Sequence, residues 1–173
     1  MKRVPYQDAD FEIKPGEQPG ESDIIIKVKR EKPWRGSLSL DDSGSKSTGK
    51  LQATATFSLD NPLGINDLFS ASYNHDVSRQ GGRGTYGSNL YYSFPFGYWT
   101  STLSVNDYSY HQTVAGAGGD FVYSGTSTGA DASVQRLIHR DQVSKTSLQF
   151  GVTRRRAKTY LEDVEIEVQR RDV

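Results

Sequence analysis

Cysteine is absent from the chain, methionine occurs once, and neither sign of charge is in excess, with Lys+Arg 21 against Asp+Glu 21. The first absence excludes a disulfide framework, a thiolate nucleophile and a cysteine-ligated metal site. Zero net charge argues against a general nucleic-acid binder, which carries a basic surplus to neutralise phosphates. No run approaches the ~20 apolar residues of a membrane-spanning helix, and the mean hydropathy is -0.67. The Met1 end is polar and charged, so no secretory signal is expected there. No apolar stripe recurs at the three-four spacing of an amphipathic helix. A transmembrane β-barrel survives all of these exclusions. Its strands show only every second residue to lipid, so its mean hydropathy stays low.

The 173 residues allow one domain, or one and a fraction. Gly 17 and Tyr 10 are high, and with frequent Ser and Thr they suit strands and turns. Three segments alternate with period two. Leu51, Ala53, Ala55, Phe57 and Leu59 alternate with Gln52, Thr54, Thr56, Ser58 and Asp60. Leu90, Tyr92, Phe94, Phe96 and Tyr98 alternate with Asn89, Tyr91, Ser93, Pro95 and Gly97. Leu148, Phe150 and Val152 alternate with Ser147, Gln149, Gly151 and Thr153. Each segment therefore predicts a strand with one apolar and one polar face. Weaker copies lie at Leu38–Leu40, Phe69–Tyr73, Trp99–Val105, Ala130–Val134 and Val164–Val168. A parity change at Tyr108 and Tyr110 predicts a bulge or the strand's exit from lipid. The polar faces carry Ser, Thr, Asn and Gln rather than charges. A soluble sandwich alternates as well, so periodicity alone leaves barrel and sandwich open.

The connections favour the barrel. Short corners are predicted at Asp60–Asp67, Pro95–Gly97 and His139–Gln142. Longer polar connections are predicted at Asp41–Lys50, Asp76–Ser88, His111–Ser127 and Arg154–Asp163. Short and long connections alternate, as periplasmic turns and extracellular loops do in outer-membrane barrels. Phe94, Phe96, Tyr98 and Trp99 gather near one corner and Tyr108 and Tyr110 toward the other end, which fits two aromatic girdles. The start of the chain differs. Asp8–Lys14 and Ser22–Arg30 predict two strands joined by the Pro- and Gly-rich Pro15–Glu21. The run Ile24, Ile25, Ile26, Val28 predicts a strand covered on both faces.

Gly82-Arg83-Gly84-Thr85-Tyr86-Gly87 matches the dinucleotide fingerprint but lacks the strand before and the helix after it, so it is read as a flexible loop. His75, His111 and His139 fit no zinc spacing. No catalytic constellation emerges, and no enzyme activity, cofactor, nucleotide or metal is expected. Arg154-Arg155-Arg156 and Arg170-Arg171 read first as a solvated strand end or loop, since isolated charge runs usually face water, and second as contact with anionic lipopolysaccharide or a substrate chain.

Pro15-Gly16-Glu17-Gln18-Pro19-Gly20-Glu21-Ser22, Pro33-Trp34-Arg35 and Leu38-Ser39-Leu40-Asp41-Asp42-Ser43-Gly44 resemble the junction of a two-partner secretion translocator. Asp60-Asn61-Pro62-Leu63-Gly64, Phe96-Gly97-Tyr98-Trp99, Tyr110-His111-Gln112-Thr113-Val114 and Glu165-Ile166-Glu167-Val168-Gln169-Arg170-Arg171 follow in the family's order. The chain thus resembles the haemolysin secretion/activation proteins, which include translocators of filamentous haemagglutinins and contact-dependent inhibition toxins.

The resemblance implies an all-β fold, part of a sixteen-stranded antiparallel transmembrane barrel in the outer membrane of a Gram-negative bacterium. Residues 1–31 would be the C-terminal end of the second periplasmic polypeptide-transport-associated (POTRA) domain. Residues 32–173 would be about seven barrel strands and the start of the eighth. The implied function is export of a large exoprotein, captured unfolded in the periplasm, with outer-membrane lipid as the other partner and no nucleic acid or nucleotide. Gln52, Thr54, Thr56, Asn89, Tyr91, Ser93, Gln149 and Thr153 are the pore-lining candidates. Leu51, Ala53, Phe57, Leu59, Leu90, Tyr92, Phe94, Leu148, Phe150 and Val152 are the lipid-facing ones. The family's plug helix and arginine-containing pore loop have no match here, so no gating residue carries over. A partial barrel leaves two sheet edges, and each unpaired backbone group in lipid costs several kcal/mol. The chain is therefore expected to be a truncated form that cannot make the pore by itself. The alternative is a soluble β-sandwich binding module.

Overall fold

The computed structural model describes residues 7–16, 18, 21–77 and 82–173. β1 (Gln7–Pro15) and β2 (Ser22–Arg30) form a separate antiparallel hairpin in which Phe11 faces Ile26 and Asp10 faces Lys27. In the predicted connector between them, Glu17, Pro19 and Gly20 lie outside the described residues. Alternation gives the hairpin an apolar face (Ala9, Phe11, Ile13, Ile24, Ile26, Val28) and a charged face where Lys27 meets Glu12 at 2.7 Å. The expectation of two covered faces at Ile24–Val28 is corrected. Ile25 shares the charged face, and Phe11, Ile24, Ile26 and Val28 are all exposed.

The second sheet is an antiparallel meander. β3 (Trp34–Asp41), β4 (Gln52–Asp60), β5 (Leu68–Asp76), β6 (Arg83–Phe96), β7 (Trp99–Gly116), β8 (Gly119–Arg140) and β9 (Lys145–Leu161) pair in sequence order. The two-residue strands β10 (Val164–Glu165) and β11 (Arg171–Asp172) then fold back onto β9. This matches the expected seven strands and the start of another. β3 and β9 do not pair with each other, so the sheet is open. Sequential neighbours joined by hairpins are what antiparallel pairing of adjacent segments produces.

Three predicted loops are corrected. His111–Ser127 is strand, because β7 and β8 pair without interruption from Trp99–Arg136 to Gly116–Gly119. Arg154–Leu161 is the upper part of β9. Arg83–Ser88 belongs to β6, so the glycine-rich motif is extended backbone and not a flexible loop, while Ser78–Gly81 lie outside the described residues. In all three, both faces turn polar, so the alternation fades while the ladder continues. No bulge interrupts β7 at Tyr108. The one register shift in the ladders of the described residues lies between Leu137 and His139.

The short turns are built by local polar groups. In the β4–β5 turn Asn61 and Asn66 adopt φ of 60° and 67°, and the Asn61 N–H donates to the Asp67 carbonyl at 2.7 Å. Asparagine tolerates this left-handed region better than other non-glycine residues. Gly97, at φ 57°, turns β6 into β7. The third turn falls at Asp141–Ser144, slightly later than predicted, since His139 and Arg140 end β8. There the Asp141 carboxylate accepts the backbone N–H groups of Ser144 (2.6 Å) and Val143 (2.8 Å), the Ser144 hydroxyl and a His139 contact at 3.1 Å.

The Ser144 and Val143 N–H groups, then the His139 and Ser144 side chains, hold the Asp141 carboxyl down from 3.8 to about 2. A carboxyl lowered by folding stabilises the folded form fully above 3.8, and that contribution is lost as pH falls toward 2. Asp141→Asn should therefore lower the urea midpoint at neutral pH. The gap between variant and parent should close over that acid interval. A gap that stays constant with pH would contradict this account of the turn.

Candidate functional site

Ladder partners share a face, so rows can be followed across the whole sheet. One row runs Trp34, Leu59, Phe69, Tyr92, Leu103, Ala132, Val152. The next row on that face runs Gly36, Phe57, Ala71, Leu90, Val105, Ala130, Arg154. On the opposite face lie Arg35, Ser58, Ser70, Tyr91, Ser104, Asp131, Thr153, and then Ser37, Thr56, Ser72, Asn89, Asn106, Gly129, Arg155. All eight residues singled out from the sequence (Gln52, Thr54, Thr56, Asn89, Tyr91, Ser93, Gln149 and Thr153) fall on this polar face. The strand residues assigned to the apolar side fall on the other, and Leu51 sits one residue before β4.

Burial is inverted relative to a soluble protein. Leu38 is 87% exposed and Val152 76%, whereas Ser93 is 5% and Thr85 6%. Among the described residues, every buried position is a glycine, aspartate, serine or threonine. A sandwich must hide its apolar faces against each other. Here they face outward and the polar side is crowded, as on the inner wall of a sheet curving toward closure. The soluble-sandwich alternative is corrected on this ground.

The outward apolar band also slopes. On β3 and β4 it extends from the Trp34–Leu59 pair six residues toward the long connections, to Leu40–Ala53. On β9 it starts at the corresponding Val152 and runs four residues the other way, to Leu148. Its centre therefore slides about five residues over six strand-to-strand steps. With ~3.3 Å per residue and ~4.8 Å between strands, that slope is a tilt of about 30°. Barrel closure requires a tilt of this kind.

The polar face is held by hydrogen bonds. Arg35 donates two to Asp60, at 2.6 and 2.9 Å, and Asp60 is only 2% exposed. Near the other end Asp76 accepts the Thr85 N–H at 3.0 Å, the Thr85 hydroxyl donates to Gln52, and the Gln52 amide donates to the Gly49 carbonyl. Thr153 donates to Asp131 at 2.7 Å, and the Ser58 and Ser70 hydroxyls meet at 3.0 Å. Gly129 leaves room for the Asn106 side chain, which a Cβ there would push aside.

Asp60 was read from the sequence as part of the polar set, whereas Arg35, Asp76, Asp131 and Arg155 were missed as members of this face. Their signal was present: each has the parity of a neighbouring Ser, Thr or Gln in its own strand. Tyr108 and Tyr110 are corrected from lipid girdle to polar face, where Tyr110 stacks against Tyr108 and Tyr123. Tyr73, Tyr86 and Tyr160 are outward aromatics toward the long connections. His75 and His111 point outward, and His139 ends β8.

The family model described as Haemolysin secretion/activation protein ShlB/FhaC/HecB matches residues 20–173. The outer membrane transporter CdiB-2 of Burkholderia pseudomallei (strain 1026b) is 42% identical over 167 residues, covering 96% of this chain and 29% of that protein. The hemolysin transporter protein ShlB of Serratia marcescens is 30% identical over 168 residues, covering 96% of this chain and 30% of that protein. Among solved structures, CdiB from Escherichia coli superposes with a TM-score of 0.87 at 27% identity, covering 95% of this chain and 31% of that one. CdiB from Acinetobacter baumannii gives 0.80 at 30% identity, covering 99% and 33%. The chain thus spans under a third of the length of these two curated relatives.

Removing Arg35 would leave the Asp60 carboxylate buried against the sheet. Arg35→Ala should destabilise by about 1–3 kcal/mol, since a buried acceptor then loses two charge-assisted hydrogen bonds. Pairing it with Asp60→Asn should recover part of that loss. A double-mutant cycle on urea midpoints measures the coupling, and strictly additive losses would show that the pair contributes nothing.

Proposed function

The chain belongs to the haemolysin secretion/activation protein family ShlB/FhaC/HecB, and from that membership we propose that it supplies barrel strands to an outer-membrane translocator exporting a large partner exoprotein. The observation that carries the reading is the inverted burial: outward Leu, Phe and Val over an inner wall of Ser, Thr, Asn and Gln. In a bilayer the outward set meets hydrocarbon and the inner set lines a wet conduit.

Gln52, Thr54, Thr56, Asn89, Tyr91, Ser93, Gln149 and Thr153 line that conduit. Neutral hydrogen-bonding groups suit an unfolded polypeptide in transit. They replace water contacts with its backbone one at a time, without the strong ion pairs that would hold it in place. On this wall Arg35 and Asp60 pair with each other, and Asp76 and Asp131 are held by neutral donors.

Residues 1–31 are the C-terminal end of a periplasmic POTRA domain. The β1–β2 hairpin supports this with an apolar face suited to a covering layer of helices and a charged face suited to water. The chain enters β3 at Trp34, beside Leu59 and therefore at the end of the sheet with the short β4–β5 turn. Short turns are periplasmic in such barrels, which puts the hairpin on the side where an unfolded exoprotein arrives. A partner segment can add to a strand edge there through backbone hydrogen bonds.

The test uses the full-length protein, co-produced with its partner exoprotein. Phe57→Arg, with its charge set into the apolar band, should destabilise by roughly 2–4 kcal/mol, and Thr56→Arg by much less. Heat-modifiable gel mobility reads the folded fraction. Thr56→Arg should instead lower surface exoprotein at an unchanged folded fraction. Equal mobility effects for the two variants would contradict the face assignment. Undiminished exoprotein at the surface in a strain lacking the protein would contradict the export function.

A further inference from the structure

Arg154-Arg155-Arg156 is not one patch. Alternation along β9 sends Arg155 to the polar face and Arg154, Arg156 and Lys158 outward, directly beyond Leu148, Phe150 and Val152. The opposite limit of the outward band is marked on β8 by Arg136, which pairs with Leu148 and lies 5.1 Å from the Trp99 ring. From the Arg136–Leu148 pair to Arg154 is six residues, or about 20 Å at ~3.3 Å per residue, and less once the strands tilt. The apolar band of an outer-membrane barrel is about 25 Å tall. Arg154 therefore stands level with the last hydrocarbon, and its guanidinium must reach upward to the headgroups.

The carboxylates nearby do not match this charge. Asp172 is shared, 3.7 Å from Arg154 and 3.1 Å from Arg156. Lys158 and Arg170 both meet Glu165, at 3.2 and 2.6 Å. Glu167 adds a third carboxylate near Arg170, so four cations stand against three carboxylates. Beside them the outward side chains of β8 shrink to Ala130 and Ala132, between Leu103 and Val105 on β7 and Val152 and Arg154 on β9. The upper end of this trough is a depression of about 210 Å³ reaching to Arg154 and Arg156.

We propose that this surface binds a phosphorylated glycolipid of the outer leaflet. Its phosphate is bridged by Arg154 and Arg156, and one acyl chain lies in the Ala130–Ala132 trough. Guanidinium forks match phosphate oxygens bidentately, which an isolated ammonium does not. The trough adds a requirement that a free anion cannot meet. The inference rests on the lipid-facing reading of the outward surface.

The test is native mass spectrometry of the full-length protein in detergent, titrated with diphosphoryl lipid A. R154Q/R156Q should weaken binding by about tenfold or more, the size of losing hydrogen bonds to a charged group. Arg155→Gln, on the other face, should bind as the parent does. Ala130→Phe, which fills the trough, should bind more weakly, and so should dephosphorylated lipid A on the unsubstituted protein. Inorganic phosphate at equal concentration should not displace the lipid. Parent-like binding by R154Q/R156Q, parent-like binding by Ala130→Phe, or displacement by inorganic phosphate would overturn the proposal. Should R154Q/R156Q fail to fold, the dephosphorylated lipid and Ala130→Phe decide alone. Heat-modifiable mobility and outer-membrane fractionation of the unsubstituted protein test the underlying membrane reading separately.

Discussion

A backbone in hydrocarbon has no water to bond, so each N–H and C=O must find another strand. That requirement explains why β6 through β9 run as near-continuous ladders, with a single register shift at Leu137/His139. Side chains then only sort themselves between two environments. Period-two alternation does the sorting, and one face of the sheet is apolar although no second layer of protein lies against it among the described residues. The missing hydrophobic core follows from the same constraint. In the described residues, the places a soluble fold would fill with leucine are filled by Asp60, Asp67, Asp76, Thr85 and Ser93.

Buried carboxylates are costly unless bonded, and these are bonded by neighbours on adjacent strands or turns. Arg35 on β3 reaches Asp60 at the end of β4, while from the outward row Tyr92 of β6 donates to Asp67, the residue before β5, at 2.8 Å. Asp76 takes the Thr85 N–H of the next strand. Such links tie strands together at their ends, where the ladders stop. The polar wall is thus a structural element in its own right and not only a lining.

Most of the sheet was legible in the sequence, because alternation is strongest where lipid and water lie on opposite sides. Leu51–Asp60, Asn89–Tyr98 and Ser147–Thr153 carry that contrast and fell on strands, apart from Leu51 before β4 and Gly97 and Tyr98 in the turn after β6. His111–Ser127 and Arg154–Leu161 do not carry it. Beyond the apolar band both faces meet water, so polarity no longer reports strand geometry, and these stretches resembled loops. The neutral inner positions were legible from parity. The ion pair of Arg35 and Asp60 was not, because the two residues are 25 apart and only the β3–β4 register brings them together. Tyr108 was misplaced for the reason the upper strands were missed: outside the band an aromatic has no preferred side.

The strands grow from 8 residues in β3 to 22 in β8. Followed along the row from Trp34 to Ala132, β3 runs 7 residues toward the long connections and β8 runs 13, while β8 also reaches 8 residues the other way. The wall is therefore lopsided, low where β3 to β5 end and standing like a parapet over β7, β8 and β9. Among the described residues the crest of that parapet, residues 113–116 and 119–122, has no ladder partner on β6 or β9, so the ladder that holds it upright is that of its own hairpin alone.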